Sequence, residues 1–360
     1  MTTSTSPSYR NLRIEHRGPV TVLFVNRPGV LNAIDRTTLT EIEDAVGRFV
    51  ADDAQGALIL TDKPESPPGY LRMGSALMDL WSTKANMPTA RALLAAAFLD
   101  GKLYALGGFN DSYSSANEQY SPFSNSWAQM APMPTPRANF AAVVVGDKIF
   151  AIGGENSTGA ITAIEAYSPA TNTWTTLAPM PTARRDFAAA AVNNRIFVVG
   201  GRDGSGSPLD TNEVYDATND SWAAAAPLPS PRSGLSAAVV DNILYAIGGM
   251  RDSGARKSAA NEAYDPAANA WTAKAPLPVS VNNPAVAAVN GFIYAIGPLV
   301  NLEYSPAGNT WAVRSPSVGG REQYAAAGGA LIYLVGGLDD TYSSTTEAYY
   351  MKLYHIHQKY

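Results

Sequence analysis

One string recurs six times in this chain, and it restricts the possible folds more than any other feature. Trp81, Trp127, Trp174, Trp222, Trp271 and Trp311 each open a copy. A glycine ending an apolar run follows 26 residues later at Gly107, Gly153, Gly200, Gly248 and Gly297, and 25 later at Gly336. The copy from Trp174 to Gly201 reads WTTLAPMPTARRDFAAAAVNNRIFVVGG. A fixed period of this length marks a supersecondary unit that cannot bury its apolar face alone, so the copies must stack.

The order of segments within a copy is constant. A Trp segment, such as NTWTTL, leads into a Pro-rich turn, such as APMPTAR. An Ala-rich strand follows, such as FAAAAV, then a strand ending in Gly-Gly, such as RIFVVGG. After a loop of variable length comes a Glu-x-Tyr strand with its tyrosine at Tyr120, Tyr167, Tyr215, Tyr264, Tyr304 or Tyr349. Short strands at even spacing, punctuated by turn residues, specify an all-β repeat architecture.

This pattern of Gly-Gly, then Tyr, then Trp resembles the kelch family over residues 77–353. The resemblance implies a six-bladed kelch β-propeller with four antiparallel strands per blade. The residue types suit that fold. Ala-rich strands fit the innermost position, where the wedges converge. Strands apolar on both faces fit between neighbouring blades. Tyr and Trp fill the wider outer part and present polar edges to partners. The fifth copy departs from the pattern with Gly297-Pro298, and strand pairing should stop at a proline, which has no N–H. The copies are also offset. The first begins at its Trp strand, so the strand around Leu77–Thr83 is expected to pair with Glu347–Tyr350, closing the ring within one blade.

The N-terminal stretch is of another kind. VTVLFVN (Val20–Asn26) and ALILT (Ala57–Thr61) read as strands. Thr37–Val50 places Leu39, Ile42, Val46 and Val50 at helical spacing. Asn26-Arg27-Pro28 and Leu31-Asn32-Ala33 resemble signatures of the crotonase (enoyl-CoA hydratase) family. The resemblance covers residues 13–62 and implies a small α/β (ββαβ crotonase-like) appendage beside the coenzyme A-bordering loop of that family. The Gly/Ala-rich oxyanion loop expected next is replaced by DKPESPPGYLRMGS (Asp62–Ser75), and no second catalytic segment follows. A truncated fragment over 1–62, a Pro/Gly linker over 63–76 and a propeller over 77–360 are therefore expected. A hydratase remnant with acyl-CoA affinity is the weakest functional reading.

Composition removes other classes. The net charge of -5 favours neither nucleic acid nor an anionic membrane. No cysteine is present, which excludes disulfides, thiolate metal sites and the tyrosine–cysteine cross-link of copper kelch oxidases. The N-terminus lacks a signal-peptide core, so a cytoplasmic protein is the expectation. No cofactor or metal is expected; His16 is isolated, and His355 and His357 lack a third ligand. The six Glu-x-Tyr glutamates recur identically, which reads as structural, since catalytic groups need distinct environments.

Two features could carry recognition. The loops between the Gly-Gly and Glu-x-Tyr strands vary from thirteen residues (Gly249 to Glu262) down to five (Pro298 to Glu303). An arginine also stands ten residues after each Trp except in the fifth copy: Arg91, Arg137, Arg184, Arg232 and Arg321, with Val281 as the exception. Opening the innermost strands, these would ring one mouth of the channel and suit a protein's acidic peptide or another anionic ligand; alternatively they bond carbonyls within their blades. Asn139, Asp186, Asn283, Gln323 and Tyr324 would lie nearby. The first reading is a non-enzymatic interaction module. The alternative is a carbohydrate-active propeller, an epimerase or mutarotase acting on an anionic sugar.

Overall fold

The computed structural model describes residues 12–17, 20–25, 57–61, 80–251, 256–317, 320–329 and 331–350. The chain divides into two compact units, Met1–Leu77 with Pro122–Ser124, and Met78–Ser121 with Asn125–Tyr360. In the first, Leu12–Arg17 pairs antiparallel with Val20–Val25, which pairs in parallel with Ala57–Thr61. Leu12–Arg17 is a strand the sequence reading missed, although Leu12 and Ile14 alternate with Arg13 and Glu15 at strand spacing. His16 sits on it, opposite Thr21. The expected helix over Thr37–Val50, the linker and His355 and His357 lie outside the described residues.

The second unit is six four-stranded antiparallel sheets. Their innermost strands are Ala95–Leu99, Ala141–Val145, Ala188–Val192, Ser236–Val240, Ala285–Val289 and Ala325–Gly328. Each innermost strand packs against the next, and the sixth packs against the first, so the circle is closed. The second strand of each blade is buried almost throughout: Ile196 to Val199 are at most 2% exposed. Such strands are sandwiched between blades, and their apolar area dominates the stability of the ring.

The sixth blade is built from both ends of the ring. Its third strand, Thr346–Tyr350, pairs with Leu80–Lys84, and Tyr349 lies opposite Trp81. The two rings lie 4.9 Å apart.

The aromatic pairs also join neighbouring blades. Each Trp indole N–H donates to a main-chain carbonyl of the connector in the preceding blade: Trp127 to Ala85, Trp174 to Ala131, Trp222 to Ala178, Trp271 to Ala226, Trp311 to Ala275 and Trp81 to Ser315. Five tyrosine hydroxyls donate to Asn125, Asn172, Asp220, Asn269 and Asn309, and each of these accepts a second bond from a main-chain N–H of the preceding blade's connector. All five stand in the left-handed region, which Asn and Asp tolerate.

In the fifth blade the ladder ends at the pair Gly297↔Val300, and Pro298-Leu299 form the turn. The proline therefore sits where no N–H is needed for pairing. Among the described residues no helix is long and apolar enough to cross a membrane.

Candidate channel-mouth site

Each of the five recurrent arginines stands four residues before its innermost strand. Its side chain turns into the blade, away from the channel. Arg91, Arg137, Arg184 and Arg232 are 0% exposed and Arg321 5%. Each is paired with the glutamate of its own Glu-x-Tyr strand: Arg91–Glu118 at 2.5 Å, Arg137–Glu165 at 2.8 Å, Arg232–Glu262 at 2.7 Å, and Arg184–Glu213 and Arg321–Glu347 likewise. Further donors of Arg91 reach the main-chain carbonyls of Gly107, Ala105 and Thr89, those of Arg137 and Arg184 reach carbonyls too, and Arg232 donates to the Ser230 hydroxyl. Burial lowers the guanidinium pKa of Arg91, Arg137 and Arg184, and the adjacent glutamates oppose that shift. These five arginines thus stand inside the blades and present no open fork at the mouth. The same contacts give five of the six recurrent glutamates a structural role.

What does ring the mouth is the residue two places further on: Leu93, Asn139, Asp186, Gly234, Asn283 and Gln323. All six have φ between 47° and 60°. Their main chains are linked from blade to blade. The N–H of Asn139 donates to Leu93 O at 3.0 Å, Asp186 to Asn139 O at 3.2 Å, Gly234 to Asp186 O at 2.7 Å, Asn283 to Gly234 O at 2.8 Å and Leu93 to Gln323 O at 3.0 Å. A left-handed conformation costs a branched residue such as Leu roughly 1–2 kcal/mol. The belt of interblade bonds holds it in place. At Gly234 an added Cβ would lie 2.4 Å from the side-chain oxygens of both Asn282 and Asn283. A side chain at that position would have to push those two amides aside.

These six positions line a depression of about 130 Å³, walled by the residues that follow them, among them Phe140, Phe187 and Tyr324. Asn139, Asp186, Asn283, Gln323 and Tyr324 are therefore brought together. Tyr324 is 9% exposed, the Arg321 guanidinium lies 5.9 Å from its ring centre, and burial raises its phenol pKa.

On one side the depression carries a charge network spanning the second and third blades. Asn139 Nδ2 donates to Glu155 at 2.6 Å, Arg185 Nη1 to Glu155 at 2.5 Å and Arg202 Nε to Asp186 at 2.5 Å. Arg185 and Arg202 keep 24% and 29% of their side chains exposed. Burial raises the Asp186 carboxyl pKa, and Arg202 opposes that shift. Sequence reasoning passed over Glu155 and Arg185. Their signal was position: one follows a Gly-Gly pair and the other a recurrent arginine. A larger groove of about 580 Å³ along the second blade and its connectors is lined by Ala160, Ile161, Leu177 and Pro179 and by threonines, without a charged group. Convergent polar groups mark the smaller depression as the better candidate. No group of three or more potential metal ligands occurs among the described residues.

Residues 70–201 match the KLHDC2/KLHL20/DRC7 Kelch-repeats domain, and residues 183–229 and 231–278 match the Kelch motif. The solved structure of YjhT aligns with a TM-score of 0.64 over 74% of this chain and 95% of that one, at 15% identity, a likeness of fold alone. A short stretch is 41% identical over 54 residues to a crotonyl-CoA hydratase of Syntrophomonas wolfei, and 40% identical over 53 residues to a probable enoyl-CoA hydratase of Rhizobium meliloti. Each match covers 15% of this chain and 21% of the relative, so the chain spans about a fifth of those hydratases. Motif matches, strand order and ring closure agree: the repeats in this chain are kelch repeats, and they form a six-bladed propeller.

Proposed function

We propose that this chain is a non-enzymatic interaction module that holds a segment of a protein partner at the polar mouth of its channel. The observation that carries the reading is the belt of six left-handed residues, four of which present polar side chains over one depression. Backbone strain held at one place by its surroundings is characteristic of binding sites. The chemistry differs from that expected of an arginine ring. The five ring arginines are buried and paired. The two half-exposed cations, Arg185 and Arg202, already face Glu155 and Asp186. A near-neutral site of amides suits a peptide main chain or turn, which offers donors and acceptors in equal number.

Size separates this reading from the sugar-acid alternative. Small-molecule sites usually enclose roughly 300–1,000 Å³, and the depression has about 130 Å³. It suits a side chain or turn of a larger partner. The test is a peptide selected from a displayed library against the full chain. Its affinity, measured by calorimetry, is expected to fall at least tenfold in the N139G/Q323G variant, which removes both amides and suits the left-handed backbone. Unchanged affinity would remove the mouth as the site. A second reading, residual coenzyme A affinity in the N-terminal unit, is favoured by the hydratase matches. Titrating the full chain with coenzyme A tests it, and the absence of heat at millimolar ligand ends it.

A further inference from the structure

The variable loops of the sixth and first blades are near-copies of each other. They read GGLDDTYSSTTE (Gly336–Glu347) and GGFNDSYSSANE (Gly107–Glu118) and align without a gap. The corresponding stretches of the other four blades contain no Tyr, Phe or Trp. The two loops are neighbours on the mouth face. Phe109 lies 5.2 Å from Tyr113 within its own loop and 6.2 Å from Tyr342 across the blade boundary, both edge-on. All three rings are partly exposed. In the same two loops Asp111, Asp339 and Asp340 are exposed. Neither loop contains a lysine or arginine, and the nearby Arg185 is engaged by Glu155 at 2.5 Å.

Partly exposed rings beside exposed carboxylates match one ligand chemistry. Ring faces attract a cation by their quadrupole, and carboxylates accept the N–H bonds of a guanidinium. We infer that the paired loops of the sixth and first blades form a docking surface for a basic peptide segment, with an arginine seated on Phe109, Tyr113 and Tyr342 and paired with Asp111, Asp339 or Asp340. This rests on reading the mouth face as the interaction surface, and it reverses the charge of partner that the buried arginines had suggested.

The probe is a fluorescein-labelled Gly-Ser-Arg-Gly-Ser-Arg-Gly peptide, titrated with the full chain and followed by anisotropy at low salt. Its glutamate counterpart, with both arginines replaced, is the comparison. The arginine peptide is expected to bind at least tenfold more tightly than the glutamate peptide, and to weaken as salt rises. The D111N/D339N/D340N variant should lose at least tenfold. Tyr342→Phe should keep binding, whereas Tyr342→Ala should weaken it. Neutralising the cationic loop of the fourth blade, R251Q/R256Q/K257Q, should not weaken it. Equal binding of the two peptides, or full affinity in the triple aspartate variant, would overturn the inference. If the basic peptide fails while the library-selected peptide still depends on Asn139 and Gln323, this surface is wrong and the mouth reading survives. If only the basic peptide binds, and binding depends on the three aspartates, this surface stands without the mouth reading.

Discussion

A guanidinium can be buried only where nearly every donor meets an acceptor, because an unpaired charge in the interior is far costlier than the pair is favourable. Arg137 satisfies that condition with Glu165, Gly153 O, Ala163 O and Thr135 O. Arg137→Met is therefore expected to cost about 3–5 kcal/mol, since it leaves the buried Glu165 carboxylate with the Thr135 hydroxyl but no cation. Urea unfolding measures it, and a loss under 1 kcal/mol would show that the pair contributes little. Asp186 behaves in the opposite sense. Its folded-state pKa is raised by burial above the unfolded value, so the folded state binds the proton more tightly and stability falls as pH rises through that window. Asp186→Asn should then raise the melting temperature at pH 7, with the gain shrinking as pH falls through the raised folded-state value and gone below about 4, where the carboxyl is neutral in both states. A lower melting temperature at pH 7 would show that the Arg202 pair outweighs the burial. Periodicity revealed that an arginine recurs once per blade, but it could not tell which way the side chain turns. The clue was the partner, since one glutamate per blade stands ready to neutralise it.

The fifth blade shows how the elements compensate. It has Val281 where the others have arginine, yet it keeps its Glu-x-Tyr glutamate, Glu303, at 4% exposure. Arg314 on the outer strand supplies the missing cation at 2.6 Å, and the Tyr294 hydroxyl donates at 2.7 Å. Arg314→Ala should cost about 3 kcal/mol by leaving the buried Glu303 carboxylate without its cation, more than the loss from truncating an exposed arginine such as Arg195. Equal costs in urea unfolding would contradict this compensation. Between blades, each indole-to-carbonyl bond should contribute about 1 kcal/mol net. Trp222→Phe keeps an aromatic ring beside Tyr215, 5.1 Å away in the parent, and removes the bond to Ala178 with the smaller ring of the indole. A drop much larger than about 1.5 kcal/mol in that variant would mean that shape, not the bond, joins the blades. The strands, their order and the stop at Pro298 could be read from residue type because each follows from local chemistry: alanine where space narrows, glycine where φ is positive, proline where no donor is required. The left-handed belt at Leu93, Asn139, Asp186, Gly234, Asn283 and Gln323 could not. Its residue types differ, and only the shared backbone geometry unites them.

At the scale of the whole molecule, a ring differs from an open stack because its last unit needs its first. Leu80–Lys84 completes the sheet begun by Ala325–Gly328, so residues more than 200 positions apart share one blade. The polar mouth exists only if all six blades converge, and the docking loops of the first and sixth blades adjoin only if the circle closes. Closure is therefore the claim on which the rest depends. The chain has no cysteine, so a single introduced pair reports without interference. Ser82 and Ala348 are directly opposed in the closing ladder. Opposed residues of an antiparallel pair have Cα atoms about 4.5–5.5 Å apart, within the reach of a disulfide. The measurement is the oxidation of the S82C/A348C variant, followed by non-reducing electrophoresis and thermal unfolding. A closed ring predicts an intramolecular disulfide in nearly all molecules and a higher melting temperature than the reduced form. Free thiols after oxidation, or bonds only between separate chains, would contradict it.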